Sequence, residues 1–265
     1  TVTLMAGFAS TLCYPLADAL ADAYGWRAAV QIFAGGAALI AVPLFALAAG
    51  MMERAAPAER PTAADNAAAA KRAFRRPVFW LLVVAFPLMA AIHGMFTSHI
   101  LPLLQDRGAS SAGAVFAASL IGPAQVAARI LMTIGARNLS AVAISGLCFL
   151  GMALAAAVLW IAGAAGVGVF VFVALMGGAA GVTSIVRPLT AQDLLGRDGF
   201  GGISGALATP YIAMSAAAPI LAALLWSAGG YELMLLAAFI AAIIGGGLIA
   251  ISPRAAAIDP TTRTG

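Results

Sequence analysis

Polar side chains are scarce in this chain, so the few inside apolar stretches define the chemistry open to it. Gln125 and Arg129 lie four residues apart and share one helix face, just after Gly122 and Pro123, which loosen a helix. A guanidinium grips a carboxylate through a two-bond fork. The other reading of Arg129 is a side chain that snorkels to lipid headgroups, roughly 9 Å of helix away. His93 stands in mid-run with Thr97 one turn on. An imidazole titrates near neutral pH and can carry a coupling proton, or it can stay neutral and bond to a neighbouring helix. His99 points away from His93 and reads as interfacial. Tyr211 and Ser215 share a face with Ser204 and Ala208, on a run that Pro210 and Pro219 interrupt. That face suits either a solute cavity or interhelical hydrogen bonds. Thr183 and Arg187 share another face, where Arg187 fits a gate or a topology signal. Ser10, Tyr14 and Asp18 form a polar stripe facing a cavity or another bundle, with Asp18 as a solvated carboxylate. Substrate binding is therefore expected at Arg129, Gln125, Tyr211 and Ser215, and proton coupling at His93. Flexibility or gating is expected at Gly122, Pro123, Pro210, Pro219 and Arg187.

Other chemistries find no support. His, Asp and Glu are too sparse and scattered for a metal cluster or a nucleophile–base set, and no catalytic residue is expected. No glycine-rich stretch ends in Lys-Ser/Thr, so phosphate loops are excluded and no cofactor is expected. Cys13 and Cys148 lie in apolar runs and read as small core residues.

The elements that carry these residues are eight apolar runs, near 2–21, 28–50, 78–104, 112–134, 139–161, 164–189, 202–226 and 230–251. About twenty apolar residues in helix cross a bilayer core. Only 9% of residues are charged, against about a quarter in soluble domains, and the mean hydropathy is +1.02. The fold class is all-α and polytopic, and the lipid bilayer is the solvent. Continuous rather than alternating runs exclude a β-barrel. The domains are 1–50 (two helices ending a first bundle), a linker at 51–77, a six-helix bundle at 78–252 and a tail at 253–265. The Ala-rich centre of the linker suits a surface helix.

A sequence pI of 9.6 raises the question of nucleic acid. Six basic residues sit in the linker, however, and together with Arg129, Arg137, Arg187, Arg197, Arg254 and Arg263 they occupy alternate loops, leaving Arg27 and Arg107 opposite. Twelve against two is a topology signal, so linker and C-terminus are expected in the cytoplasm, with no nucleic-acid partner.

Three stretches resemble the major facilitator superfamily: GFASTLCYPLADALADAYGWRAAV (7–30), SHILPLLQDRGASSAGAVFAASLIGPAQVAARI (98–130) and LLGRDGFGGISGALATPYIAMSAAAPILAALLWSAGGYE (194–232). They look like the fifth span, spans seven and eight, and the eleventh span of that fold, in a bacterial, monocarboxylate-porter-like branch. The resemblance implies that four helices precede Thr1 as partners, and that the chain alone does not transport. It implies a secondary transporter of the inner membrane. A small solute, such as an organic anion or monocarboxylate, moves by alternating access with proton coupling. In monocarboxylate porters an Asp-x-x-x-Arg pair meets the carboxylate; here Gln125 replaces the Asp and Arg129 remains. The loop signature also departs, with Thr133 at the Asp position and Ala136 for an Arg. Export of hydrophobic or cationic compounds is the alternative, and would want a deep acidic residue. A non-transporting receptor or assembly protein is the alternative from another class.

Overall fold

The computed structural model describes residues 9–54, 62–135, 138–163 and 166–257. Every regular element among them is helical: α1 (Ala9–Arg54), α2 (Ala63–Phe74), α3 (Pro77–Ser98), α4 (Ile100–Asp106), α5 (Ser111–Ser119), α6 (Ile121–Gly135), α7 (Ala141–Ala162), α8 (Val167–Leu195) and α9 (Phe200–Ala257). Six helices, taking α5 and α6 together, are long and apolar enough to cross a membrane. Lipid offers no hydrogen bonds, so a spanning segment must satisfy its own backbone, and helix does this within one segment.

The eight expected runs appear as fewer, longer helices. The first two are merged in α1 and the last two in α9, each broken at glycine: Gly25 (φ 79°) in α1, Gly229 and Gly230 (φ 67° at Gly230) in α9. Positive φ is cheap only for glycine. Both breaks carry a similar signature, Gly25-Trp26-Arg27 and Gly230-Tyr231-Glu232. Each break folds the chain back. Around Gly25, Phe33 of the second limb lines a small recess with Cys13, Tyr14 and Ala17 of the first. In α9, Gly202 meets the linker helix, Glu232 meets Arg107 at the opposite end, and Gly245 is back against Phe149. Eight apolar limbs result. Two other expected spans are interrupted. The run at 78–104 breaks at His99 between α3 and α4, and the run at 112–134 breaks at Leu120 between α5 and α6.

The core of the second bundle is a layer of fully buried side chains, among them Phe79, Phe86, Phe96, Phe149, Phe172 and Met152. Phe96 and Phe172 meet edge to face with centroids 5.5 Å apart. α9 packs on α3 and α7, α8 packs on α6 and α7, and α1 lies against α5 and α6. Cys148 is buried as expected; Cys13 is exposed, because α1 turns that face away from the bundle.

The Ala-rich linker segment forms α2. Thr62 caps it, accepting from the Asp65 amide at 3.2 Å, while the Asp65 carboxylate accepts from the Thr62 amide at 3.0 Å. Bonds from Thr62 hold the Asp65 carboxyl below its ordinary pKa. α2 docks on the start of α9, where the Gly202 amide donates to Asn66 Oδ1 at 3.2 Å. A Cβ at Gly202 would collide with the Asn66 carbonyl, whereas Gly205 faces open space. Gly202→Ala is expected to lower stability by about 1–3 kcal/mol through overpacking. Gly205→Ala is expected to raise it by about 0.5–1 kcal/mol through helix propensity. Thermal unfolding of the two variants in detergent checks the contrast.

Candidate functional site

The site is built on α8. Gly177 and Gly181 present a side-chain-free strip to α6, and a Cβ at Gly181 would stand 2.8 Å from the Gln125 Cα and carbonyl oxygen. Small residues of this spacing let helix backbones approach closely in lipid. Gly201 and Gly205 have the same spacing but form no such strip, since Gly201 meets Asn66 and Gly205 meets nothing.

This approach carries Arg129 across to α8. Its side chain is buried, Nε donates to the Gly181 carbonyl at 2.9 Å and Nη2 to Ser184 Oγ at 3.3 Å. Arg129 therefore points into the helix interface, where a snorkelling side chain would have reached outward. Gln125, half-buried, lies on the same contact. Gly122 and Pro123 sit in the first turn of α6, immediately after the break at Leu120. Proline removes the amide that would bond Ser119 and its ring crowds that carbonyl, which accounts for the break's position.

Arg187 lies three residues beyond Ser184. Its guanidinium carbon stands 4.0 Å over the centroid of the Tyr211 ring, which binds α8 to α9 by a cation–π contact. Its Nη1 is buried and has no hydrogen-bond partner among the described residues. Thr183, which shares a helical face with Arg187, is buried and donates back to the Ala179 carbonyl at 2.7 Å. Ser184 is the hydroxyl that reaches a guanidinium, and nothing in the sequence distinguished it from Thr183.

His93 on α3 is half-buried, and its Nδ1 is buried without a partner among the described residues. Thr97 is not its partner, since Thr97 Oγ1 donates to the His93 and Gly94 carbonyls at 2.8 and 3.2 Å. His99 sits at the far end of α3 with Nδ1 3.3 Å from the Tyr231 hydroxyl. Ser215 is exposed, and its backbone passes over Gly94. Pro210 and Pro219 each remove one ladder bond, yet α9 remains helical through both. Pro210 instead lines an apolar recess of about 500 Å³ between α3 and α9. In α1, Tyr14 is half-buried against the second bundle and Asp18 is exposed; the Ser10 side chain lies outside the described residues.

The structure thus brings Gln125, Arg129, Ser184, Arg187 and Tyr211 to one stretch of α8, and places His93 and Ser215 on α3 and α9. No group of three metal-ligating side chains occurs among the described residues. The sequence model of the Major Facilitator Superfamily matches residues 1–211. The chain belongs to the major facilitator superfamily. No curated protein matches it. Membership makes this multi-pass membrane protein a transporter, in a family whose members are not enzymes. In this facilitator the α6–α8 contact is the natural place to perturb the site. Gly181→Ala is expected to force α6 from α8, lengthen the Arg129–Gly181 bond and cost about 1–3 kcal/mol. Gly178→Ala, whose Cβ would stand 3.4 Å from that of Ala128, is expected to be tolerated. Unfolding midpoints of the two proteins measure the difference.

Proposed function

We propose that this facilitator moves a small organic anion, of the monocarboxylate class, by alternating access with proton coupling. The observation that carries the reading is the meeting of two guanidiniums on one stretch of α8, Arg129 at Gly181–Ser184 and Arg187 one turn on. Cations inside an apolar span are costly and call for negative charge. A carboxylate entering this region supplies it. The same charge opposes a cationic cargo, which weighs against export of cationic compounds. Gln125 and Ser215 offer neutral polar contacts, and Tyr211 holds Arg187.

His93 is the proton carrier in this reading. Its ring nitrogen lies buried without a partner among the described residues in the last third of α3, a position where gaining a proton would pair with the arrival of an anion. The Arg76 end of the bundle faces the cytoplasm, by the asymmetry of the basic residues, and the membrane is the inner membrane of a bacterium.

Membrane vesicles containing the full-length protein, given labelled acetate, lactate or pyruvate under an imposed pH gradient, test the proposal. Uptake of at least one anion is expected, stimulated by the gradient. Arg129→Lys and Arg129→Ala are expected to reduce it by roughly tenfold or more, the scale of removing a buried, hydrogen-bonded charge from the site. His93→Gln is expected to abolish stimulation by the gradient while leaving anion exchange. Uptake unchanged in both Arg129 variants sinks the anion reading.

A further inference from the structure

We propose that Arg187, stacked on Tyr211, is the residue that takes the carboxylate of the solute, with Arg129 acting as the positioning residue behind it. The proposal rests on the anion reading given above and assigns its binding group to a different arginine from the one the sequence favours.

The two guanidiniums are in different states. Arg129 spends Nε on the Gly181 carbonyl and Nη2 on Ser184 Oγ. Those bonds join α6 to α8, and a ligand would have to break them to use the same donors. Arg187 spends none of its donors in this way among the described residues. Its guanidinium carbon stands 4.0 Å over the centroid of the Tyr211 ring. A stacked guanidinium keeps its N–H groups in the plane, directed away from the ring, and a planar carboxylate needs that edge. Nη1 is shielded from solvent and finds no acceptor among the described residues. A buried donor without an acceptor is destabilising, and more so when it belongs to a charged group.

The surroundings favour an anion. Pro188 follows Arg187 and has no amide to bond the Ser184 carbonyl, so α8 is locally loosened beside the site. Ser184 is exposed, and its hydroxyl donates to the Gly181 carbonyl at 2.8 Å while accepting from Arg129. Arg129 and Arg187 therefore flank Ser184 along α8. Two like charges in a low-dielectric span repel each other, and one carboxylate beside them relieves both. Tyr211 fixes the direction of the Arg187 edge. It thereby makes α9 part of the site without touching the solute.

The purified protein tests this with acetate, lactate, pyruvate and benzoate as sodium salts, each against sodium chloride at equal ionic strength. At least one carboxylate is expected to raise the thermal midpoint above the chloride control. Arg187→Gln is expected to weaken that apparent affinity by roughly tenfold or more, with Arg187→Lys between the two. Tyr211→Leu, which removes the stacking partner, is expected to weaken it as well. Phenylglyoxal labelling of the unaltered protein, read by peptide mass mapping, needs no variant to fold. The stabilising carboxylate is expected to slow modification of Arg187. Wild-type affinity in Arg187→Gln overturns the assignment. So does Arg187 labelling that is unaffected by a carboxylate that stabilises the protein, or that is already blocked without one. A wild-type protein that responds to no carboxylate overturns the anion reading itself, so the two failures are distinguishable.

Discussion

The bare backbone of α8 at Gly181 is the constraint on which the site depends. Lipid gives no hydrophobic drive for two helices to meet, so they associate through close packing and a few polar bonds. Gly181 supplies both at one residue. Its missing side chain admits the Gln125 backbone, and its carbonyl accepts from Arg129 Nε at 2.9 Å. Without that approach Arg129 would not reach Ser184, and the two arginines would not flank a single hydroxyl. A bulky residue at this point would separate two helices and also change where positive charge lies in the membrane.

The bundle is held differently at its two ends. At one, Arg76 Nη1 donates to the Leu195 carbonyl at 3.0 Å, closing the end of α8 with a residue that precedes α3. Arg72, Arg76 and Asp198 line a polar recess of about 350 Å³ there, between α2 and the α8–α9 loop. At the other, Arg107 Nη1 donates to Glu232 Oε1 at 2.6 Å and ties the loop after α4 to the turn of α9. Both ends thus use arginine to join segments distant in sequence. Between them a buried bond from Ser145 to Thr190, at 2.9 Å, joins α7 and α8.

Much of this was legible in the sequence because solvent dictates it. Apolar runs of membrane-crossing length have one answer, helix, and the runs at 139–161 and 164–189 reappear as α7 and α8 with shifted ends. The breaks were harder. Gly25 and Gly230 punctuate the chain in plain view, but short polar breaks read as loops, and here helical backbone continues up to the glycines. Pro123 was read as softening a helix, and its clash with the preceding turn instead starts a new one at Ile121. Candidate site residues were legible as polar exceptions inside apolar runs, which singled out Arg129, Arg187, Tyr211 and His93. Their pairing was not legible. Arg187 and Tyr211 are far apart in sequence, and helical periodicity relates only residues on one helix. Thr97 shows the opposite failure, a hydroxyl on the expected face that bonds its own backbone.

The turn at Gly229–Gly230 has a mechanical meaning. It leaves the limbs of α9 joined without slack, and Tyr231 and Glu232, the residues just past it, bond to His99 and Arg107. The end of α3, the loop after α4 and both limbs of α9 are therefore geared together at one rim of the bundle. Tilting the first limb, which carries Tyr211, would move α3 directly, where Ser215 and Ala218 meet Gly94, and would move the returning limb through that rim. The crossing and the rim would then act together as a linkage between α3 and the two limbs of α9.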